Sequence, residues 1–232
     1  MKAQAFRLTS RFMYYVRVYI QLIRSHFSLL LAYRLNALIH SIYGFTFMLG
    51  VYLAIRVAFL HTHTIGGFTQ SEIILMYLTS LLTWTTLEAH CFEGYKRFMI
   101  EEVRTGVFDR YLLRPMLPQV SIAMRPYLTA FIYNIVIVSL FSWYSLPFFK
   151  MASLGQILAF FSFLVIGFII QLLIFSIYAT TAFFLSRSAQ FIRTLQSVSD
   201  QSFYPTTIYP FGIRFILLTI MPSASTAYVP TS

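Results

Sequence analysis

The chain has 232 residues, of which 58% are hydrophobic and only 10% are charged. Charged residues make up about 25% of ordinary soluble domains, so this composition excludes a chain that meets water over most of its surface. The formal net charge is +10, but the basic residues stand at the ends of apolar runs, which argues against a nucleic-acid partner. The long, continuous apolar runs predict an all-α, polytopic membrane protein rather than a β-barrel.

The first segment, residues 1–34, is predicted to be cytoplasmic and to contain an amphipathic helix over residues 11–28. Arg17 and Arg24 share one helical face with other polar residues, while tyrosine and aliphatic side chains form most of the other face. Such a helix lies in the membrane interface, with its basic face among lipid head groups. A soluble lead-in helix is the alternative.

The remainder, residues 35–232, is predicted to form one transmembrane domain. Uncharged runs of 21, 24 and 36 residues separate Arg34 from Arg56, Arg125 from Lys150, and Lys150 from Arg187. A span needs about 20 apolar residues. The five predicted spans cover approximately 36–58, 73–92, 125–147, 157–185 and 193–210.

Local signals set several of these boundaries. Thr69 and Glu72 have capping-box spacing, which predicts a helix start before the second span. Pro147 is predicted to end the third span, and an interfacial lead-in from about Ala152 to precede the fourth. Prolines interrupt the last part of the chain, so residues 211–232 are predicted to form a re-entrant or extracellular segment.

Ionisable residues near the spans are weak site candidates. His40 lies inside the first span, where we expect a helix-contact role. His61 and His63 are a weak metal signal, and no metal site is predicted. Glu88 and His90 lie near the end of the second span, where a structural role is preferred and a substrate path is the alternative.

An intramembrane enzyme would need paired acids or a nucleophile with its base. Glu88, His90 and Cys91 are the only cluster of this kind, and they do not all share one helical face. We predict no catalytic residue and no cofactor bound by this chain.

Charge gathers in the loop after the second span. Nine of the 24 Asp, Glu, Lys and Arg residues lie within the 22 residues 93–114. Residues 1–34 carry six Lys or Arg and residues 93–125 carry six more, whereas the loop after the first span has none. The positive-inside rule therefore places the N-terminus and the loop 93–124 in the cytoplasm.

The acidic residues of this loop need a different explanation, because they contribute little to orientation. Together with apolar residues they predict a short amphipathic helix that ends near Gly106. Such a helix suits a solvated loop and a docking element for a soluble partner equally well. The apolar residues of the predicted helix and its return are Phe98, Val103, Phe108, Leu112 and Leu113.

The stretch "EEVRTGVFDRYLLRPMLP" resembles the motif between the second and third spans of ABC-2 type transporter permeases. More narrowly, it resembles the small permeases of bacterial export systems of the daunorubicin and viologen exporter kind. The tail "YPTTIYPFGIRFILLTIMPSASTAYVP" resembles the region after the fifth span in the same family. Such permeases usually have a sixth span, and none follows this tail, so the last span is expected to be absent.

The resemblance implies a coupling loop that docks on a separate ABC ATPase subunit, which binds ATP and Mg²⁺. It also implies a second permease chain, identical or paralogous, and a place in the bacterial inner membrane. The residues implied at or beside the ATPase contact are Glu101, Glu102, Arg104 and Gly106. Those implied in the return to the membrane are Asp109, Arg110, Arg114 and Pro115.

The function implied is ATP-driven export of a hydrophobic or amphipathic substrate. The sequence contains no G-x-x-x-x-G-K-[ST] phosphate loop, as expected for a subunit that does not hydrolyse ATP. The alternatives are a channel or secondary transporter without an ATPase, and a structural membrane protein. A search for an ATPase partner distinguishes both from the permease.

Overall fold

The computed structural model describes residues 2–184, 190 and 210–215. Within these ranges the chain is almost entirely helical, as the sequence predicted. The helices in chain order are α1 (Lys2–Ala32), α2 (Arg34–Ala58), α3 (Gln70–Leu87), α4 (Glu93–Arg97), α5 (Phe108–Leu112), α6 (Pro118–Ala123), α7 (Leu128–Met151), α8 (Leu154–Thr180) and α9 (Phe211–Phe215).

Three of the described helical stretches are long and apolar enough to cross a membrane: Arg34–Ala58, Thr129–Lys150 and Leu154–Phe183. They coincide with the first, third and fourth predicted spans, and the all-α membrane class is confirmed. The predicted fifth span, 193–210, and most of the predicted re-entrant segment, 211–232, lie outside the described residues.

Helix α3 forms the centre of the packed helices. Most of its side chains are buried, and it packs mainly against α7, with α2 and α8 alongside. The threonine hydroxyls of α3 donate hydrogen bonds to carbonyls of the same helix. Thr79, for example, donates to the Leu75 carbonyl at 2.8 Å. This interior position explains why α3 is less apolar than α7 and α8, because it meets helices instead of lipid on most sides.

Polar side chains also connect the helices. Tyr77 on α3 donates from its hydroxyl to the Met48 carbonyl of α2 at 2.9 Å. On α7, the Asn134 amide donates to the hydroxyls of Thr85 and Thr86 at 3.0 and 2.9 Å. Hydrogen bonds of this kind stabilise helix pairs in membranes by about 0.6 kcal/mol each.

The outer faces of α2, α7 and α8 are apolar. Ile39 on α2, Trp143 on α7 and Leu158 on α8 are 65%, 79% and 60% exposed. A soluble monomer rarely exposes such extended apolar surface. These faces have the composition that lipid or a second membrane subunit would cover.

Helix α1 extends beyond the predicted residues 11–28 in both directions. Arg17 and Arg24 are exposed, as are Gln21, Ser25 and Ser28, whereas Tyr19 and Leu22 on the other face are half-buried. Apolar residues such as Ile20 and Phe27 are also exposed, so the described part of α1 shows the expected amphipathic distribution only in part. Its place in the membrane interface stays a prediction.

The helix boundaries confirm one local prediction and correct two. Glu72 accepts a hydrogen bond from the Thr69 backbone N–H at 2.7 Å, as the capping box requires. Pro147 does not end its helix: α7 continues to Met151 because Phe148 and Phe149 pack against the core beyond it. No separate lead-in follows Ala152, since Ser153 caps α8 directly by accepting from the Gln156 N–H at 3.3 Å.

Candidate functional site

The predicted coupling loop, residues 93–124, is a continuation of α3 that turns back on itself. Two π-helical turns, Glu88–Phe92 and Phe98–Glu102, carry the helix past the end of α3. Beyond Glu102 the Thr105 N–H still donates to the Glu101 carbonyl at 3.0 Å, so the helical turns end next to Gly106, near the predicted position. Gly106 then adopts a left-handed backbone with a φ of 71°, which favours glycine, and α5 begins at Phe108.

A buried polar network closes the loop. The Glu102 carboxylate is 7% exposed and accepts from the Arg125 guanidinium at 2.5 Å. It also accepts from the Tyr111 hydroxyl at 2.6 Å, and Arg125 donates to the same hydroxyl. These three residues, here called the loop network, join the outgoing helix, α5 and the start of the return to α7.

Tyr111 is the centre of the loop network. Its side chain is 1% exposed, and Arg114 and Arg125 place their guanidinium carbons 5.0 and 5.5 Å from its ring centroid. Burial, and then the hydrogen bond to Glu102, raise the pKa of the Tyr111 phenol to about 12. The hydroxyl is therefore protonated at neutral pH and donates to the carboxylate. Arg114 also donates to the Ser121 hydroxyl at 2.9 Å.

Two backbone contacts hold the return segment against the helix. Gly94 on α4 lies so close to α6 that a Cβ atom there would be 1.9 Å from the Ile122 carbonyl oxygen. The Tyr127 N–H donates to the Ala89 carbonyl, inside the first π-helical turn, at 2.9 Å. With the loop network, these contacts fix both arms of the loop relative to each other.

Replacing Gly94 by alanine is expected to lower the free energy of unfolding by about 1–3 kcal/mol, because α6 must move away from α4. Thermal unfolding of the purified protein in detergent measures the effect. Gly50→Ala is the matched control: Gly50 lies within α2, and a Cβ there meets nothing within 4 Å. Equal stabilities for the two variants would contradict the close approach.

Aromatic packing connects the loop to the end of α8. The rings of Phe98, Phe108 and Phe183 lie with centroids 5.1–5.7 Å apart. Nearby, the hydroxyls of Tyr95 and Ser176 are 2.7 Å apart. A displacement of the loop would therefore act on α8 as well as on α3.

The remaining predicted loop residues lie on the outer surface. Glu102 is the exception, because it belongs to the loop network and is not available for direct contact. The exposed residues are Glu101, Arg104, Gly106, Asp109, Arg110, Arg114 and Pro115.

The apolar residues of the loop divide into two groups. Phe98 is 2% exposed and faces the interior, whereas Leu112, Leu113 and Leu117 are 57%, 85% and 62% exposed. The three leucines stand among the exposed charges of the return segment. An apolar centre with charged surroundings is the composition of a protein–protein contact, and aliphatic side chains of this size gain about 1.5–3 kcal/mol on burial.

His90 and Glu88, at the first π-helical turn, have different surroundings. The His90 ring packs 4.7 Å from the Phe131 ring and 6.2 Å from the Tyr19 ring, and its Nδ1 lies 2.8 Å from the Thr86 carbonyl. His90 thus has the structural role that the sequence favoured. Glu88, in contrast, lines a cavity between α2, α3 and α7.

The histidines of the first span and its loop add no site. The His40 ring lies 6.4 Å from the Tyr127 ring, which is a helix contact of the expected kind. His61 and His63 are exposed. Over residues 2–184, 190 and 210–215 there is no group of three or more His, Cys, Asp or Glu placed to hold a metal ion.

Sequence reasoning missed three residues that hold the loop together. Tyr111 and Arg125 carried no separable signal, because a tyrosine and an arginine fit equally well on a solvated loop. Gly94 lies within a helix, and a glycine at such a position is often only tolerated, so the sequence does not reveal that it makes a close packing contact. The clustering of three arginines and three acids around Tyr111 was the one available hint of a network.

These observations define a multi-pass α-helical membrane protein whose charged loop has a fixed interior and a mixed outer surface. A family model described as "ABC-2 family transporter protein" matches residues 45–232. The chain therefore belongs to the ABC-2 transporter family and is an ABC transporter permease, a membrane transport component. No curated protein and no solved structure matches it.

Proposed function

We propose that this chain is the permease subunit of a bacterial ABC exporter of the daunorubicin and viologen exporter kind. It moves a hydrophobic or amphipathic substrate across the inner membrane, and a separate ATPase subunit, which binds ATP and Mg²⁺, supplies the energy. It pairs with a second permease chain, identical or paralogous. The N-terminus and the loop 93–124 face the cytoplasm.

The single observation that carries this proposal is the construction of the loop in a member of the ABC-2 family. Its interior is held by the loop network, and its outside presents mixed charges around exposed leucines. A merely solvated loop has no need of a buried ion pair, and a buried pair is a costly way to gain stability. A loop that transmits force from a partner does need a fixed shape.

The mechanism follows from the two arms of the loop. One arm continues α3, which packs against α2, α7 and α8, and the other arm leads into α7. Movement of an ATPase docked on the loop would shift both arms together, because Glu102 and Arg125 join them. The shift would then pass to the packed helices and change the exposure of the substrate path.

The test is affinity purification of the tagged chain from native membranes in mild detergent, with partners identified by mass spectrometry. An ATPase subunit with a Walker-type phosphate loop should be recovered. A well-inserted, monodisperse chain that recovers no such subunit would contradict the proposal and favour a channel or a structural membrane protein.

Charge reversal of Glu101 is expected to weaken ATPase recovery several-fold at low salt, with less difference at high salt. Glu101 is an exposed acid of the same loop as the three exposed leucines, and charges at the rim of an interface act mainly on association and are screened by salt. The measurement is recovery of the ATPase by Glu101→Lys over a salt series. His63→Lys, which changes an exposed residue in the connection between α2 and α3, is the control. Equal recovery by both variants at every salt concentration would remove Glu101 from the docking surface.

A further inference from the structure

A second polar cavity, with a volume of about 450 Å³, lies between α1 and the charged loop. Leu22 and His26 of α1 form one wall, and residues between Arg97 and Arg125 form the others. The cavity shares no lining residue with the one at Glu88. Binding sites for small molecules have volumes of about 300–1,000 Å³, so this cavity can admit a ligand the size of a lipid head group.

Arginine dominates the charge of this cavity. Four arginines and two glutamates line it, so its walls carry more positive than negative charge. The arginines are Arg97, Arg110, Arg114 and Arg125, and the glutamates are Glu101 and Glu102. A concave surface with an excess of one sign of charge attracts ions of the opposite sign.

Two of the four arginines already have carboxylate partners. Arg125 is paired with Glu102 in the loop network. The Arg97 Nε lies 3.3 Å from the Glu93 carboxylate, which is outside the lining of this cavity. A guanidinium has five N–H donors, so each of these arginines keeps donors beyond those its carboxylate uses.

The other two arginines have no carboxylate partner within the described part of the chain. Arg114 donates to the Ser121 hydroxyl at 2.9 Å, which is a neutral acceptor. Arg110 is exposed and has neither a hydrogen-bond nor an ion-pair partner among the described residues. Glu101, the one lining acid outside the loop network, cannot offset both charges. The cavity therefore keeps a net positive charge after its internal pairs are counted.

The arrangement suits a phosphate group better than a carboxylate. The planar guanidinium matches the oxygens of either anion in pairs. A phosphate has oxygens on all sides, so arginines on different walls can bind it at the same time, whereas a carboxylate presents two oxygens at one edge. Several arginines around one cavity therefore indicate a phosphate ligand.

The cavity also lies where the membrane begins. Arg125 directly precedes the apolar stretch Thr129–Lys150, and α1 ends just before the apolar stretch Arg34–Ala58. The head groups of lipids lie at this level, and basic pockets beside membrane-spanning helices bind anionic head groups. A lipid phosphate could thus reach the cavity from the side.

We propose that this cavity binds a phosphate group, held by Arg110 and Arg114 with Arg97 and Arg125 beside them. The position at the membrane favours the phosphate of an anionic phospholipid, and a soluble phosphate compound is the other source of the same group. The bound phosphate would lie between α1 and the loop. It is a site distinct from both the substrate path and the docking surface for the ATPase.

Native mass spectrometry of the full chain, released from detergent micelles and titrated with dioleoylphosphatidylglycerol, tests the lipid source. Binding at least about fivefold tighter than that of dioleoylphosphatidylcholine is expected, because the choline ammonium opposes the arginines. Arg110→Gln should weaken the affinity for phosphatidylglycerol by about tenfold. Arg110→Lys should weaken it less, because lysine keeps the charge and loses the planar fork. Neither change should affect folding, since Arg110 is exposed and without a partner.

Two further variants separate this site from a general attraction to anionic lipid. Glu101→Gln should tighten binding several-fold, because it removes a negative charge from the wall. Arg34→Gln is the control: Arg34 is an exposed base at the start of α2 and does not line the cavity. Its affinity should equal that of the wild type. Equal weakening by Arg34→Gln and Arg110→Gln would overturn the proposal.

Equilibrium dialysis with radiolabelled pyrophosphate tests the soluble source on the same variants. Pyrophosphate binding that is weakened by Arg110→Gln, without a preference for phosphatidylglycerol, would assign the site to a soluble phosphate compound. A preference for phosphatidylglycerol without pyrophosphate binding would assign it to lipid. Equal behaviour of the wild type and Arg110→Gln with both probes would overturn the proposal. Neither the ATPase nor the exported substrate takes part, so the result is independent of the proposed function.

Discussion

Replacing Glu102 by alanine is expected to lower the free energy of unfolding by about 3 kcal/mol, and to lose ATPase docking as a consequence. The substitution leaves the Arg125 guanidinium, whose side chain is 22% exposed, and the buried Tyr111 hydroxyl without their acceptor. Removing one partner of a buried ion pair costs about 3–5 kcal/mol, and the partial exposure of Arg125 places this case at the lower end. Thermal unfolding in detergent measures the loss.

Asp109→Ala is the matched control for Glu102→Ala. Asp109 is an exposed acid of the same loop, and surface changes of this kind alter stability by about 0.5 kcal/mol or less. An equal, small loss in both variants would show that the ion pair contributes nothing to the fold of the loop. Glu101 and Glu102 should be reversed separately, because a double reversal would combine a loss of docking with disruption of the loop network.

Replacing Leu113 by aspartate is expected to reduce the affinity for the ATPase by at least about tenfold while leaving the fold intact. Leu113 is 85% exposed in the isolated chain, the highest value among the loop leucines. A leucine at the centre of an interface gains free energy on burial, and a buried aspartate without a partner opposes binding. Titration of the purified permease with the ATPase measures the change in Kd.

Two measurements distinguish a loss of docking from a loss of folding in the Leu113→Asp variant. Its unfolding temperature should match that of the wild type, because the side chain makes no buried contact. Leu60→Asp, at a 77% exposed position of the connection between α2 and α3, should bind the ATPase normally. Wild-type affinity in the Leu113 variant would place the docking surface elsewhere.

The sequence predicted the membrane class and the positions of three long helices from apolar length alone, because lipid imposes about 20 residues on a span. It also predicted the start of α3 at Thr69, since a capping box is a local signal. It failed at Pro147, where packing of the following phenylalanines continues the helix. Local rules do not contain that tertiary contribution.

The candidate site was predictable as a region but not as a structure. The charge cluster of residues 93–114 marked the loop, and the resemblance implied its role. Nothing in the sequence distinguished the buried Glu102 from the exposed Glu101, because adjacent acids on a helix look alike until the return segment is in place. The two π-helical turns, which set this register, have no reliable sequence signal.

The central claim is that the outer surface of the loop docks an ATPase, and site-specific photocrosslinking in native membranes tests it most directly. A photoreactive residue is introduced at position 113 on the loop and, as a control, at position 158, where Leu158 is 60% exposed on α8. Crosslinking of position 113, but not position 158, to a subunit with a Walker-type phosphate loop is the predicted result. A crosslink from position 113 only to lipid or to a protein without such a loop would contradict the account.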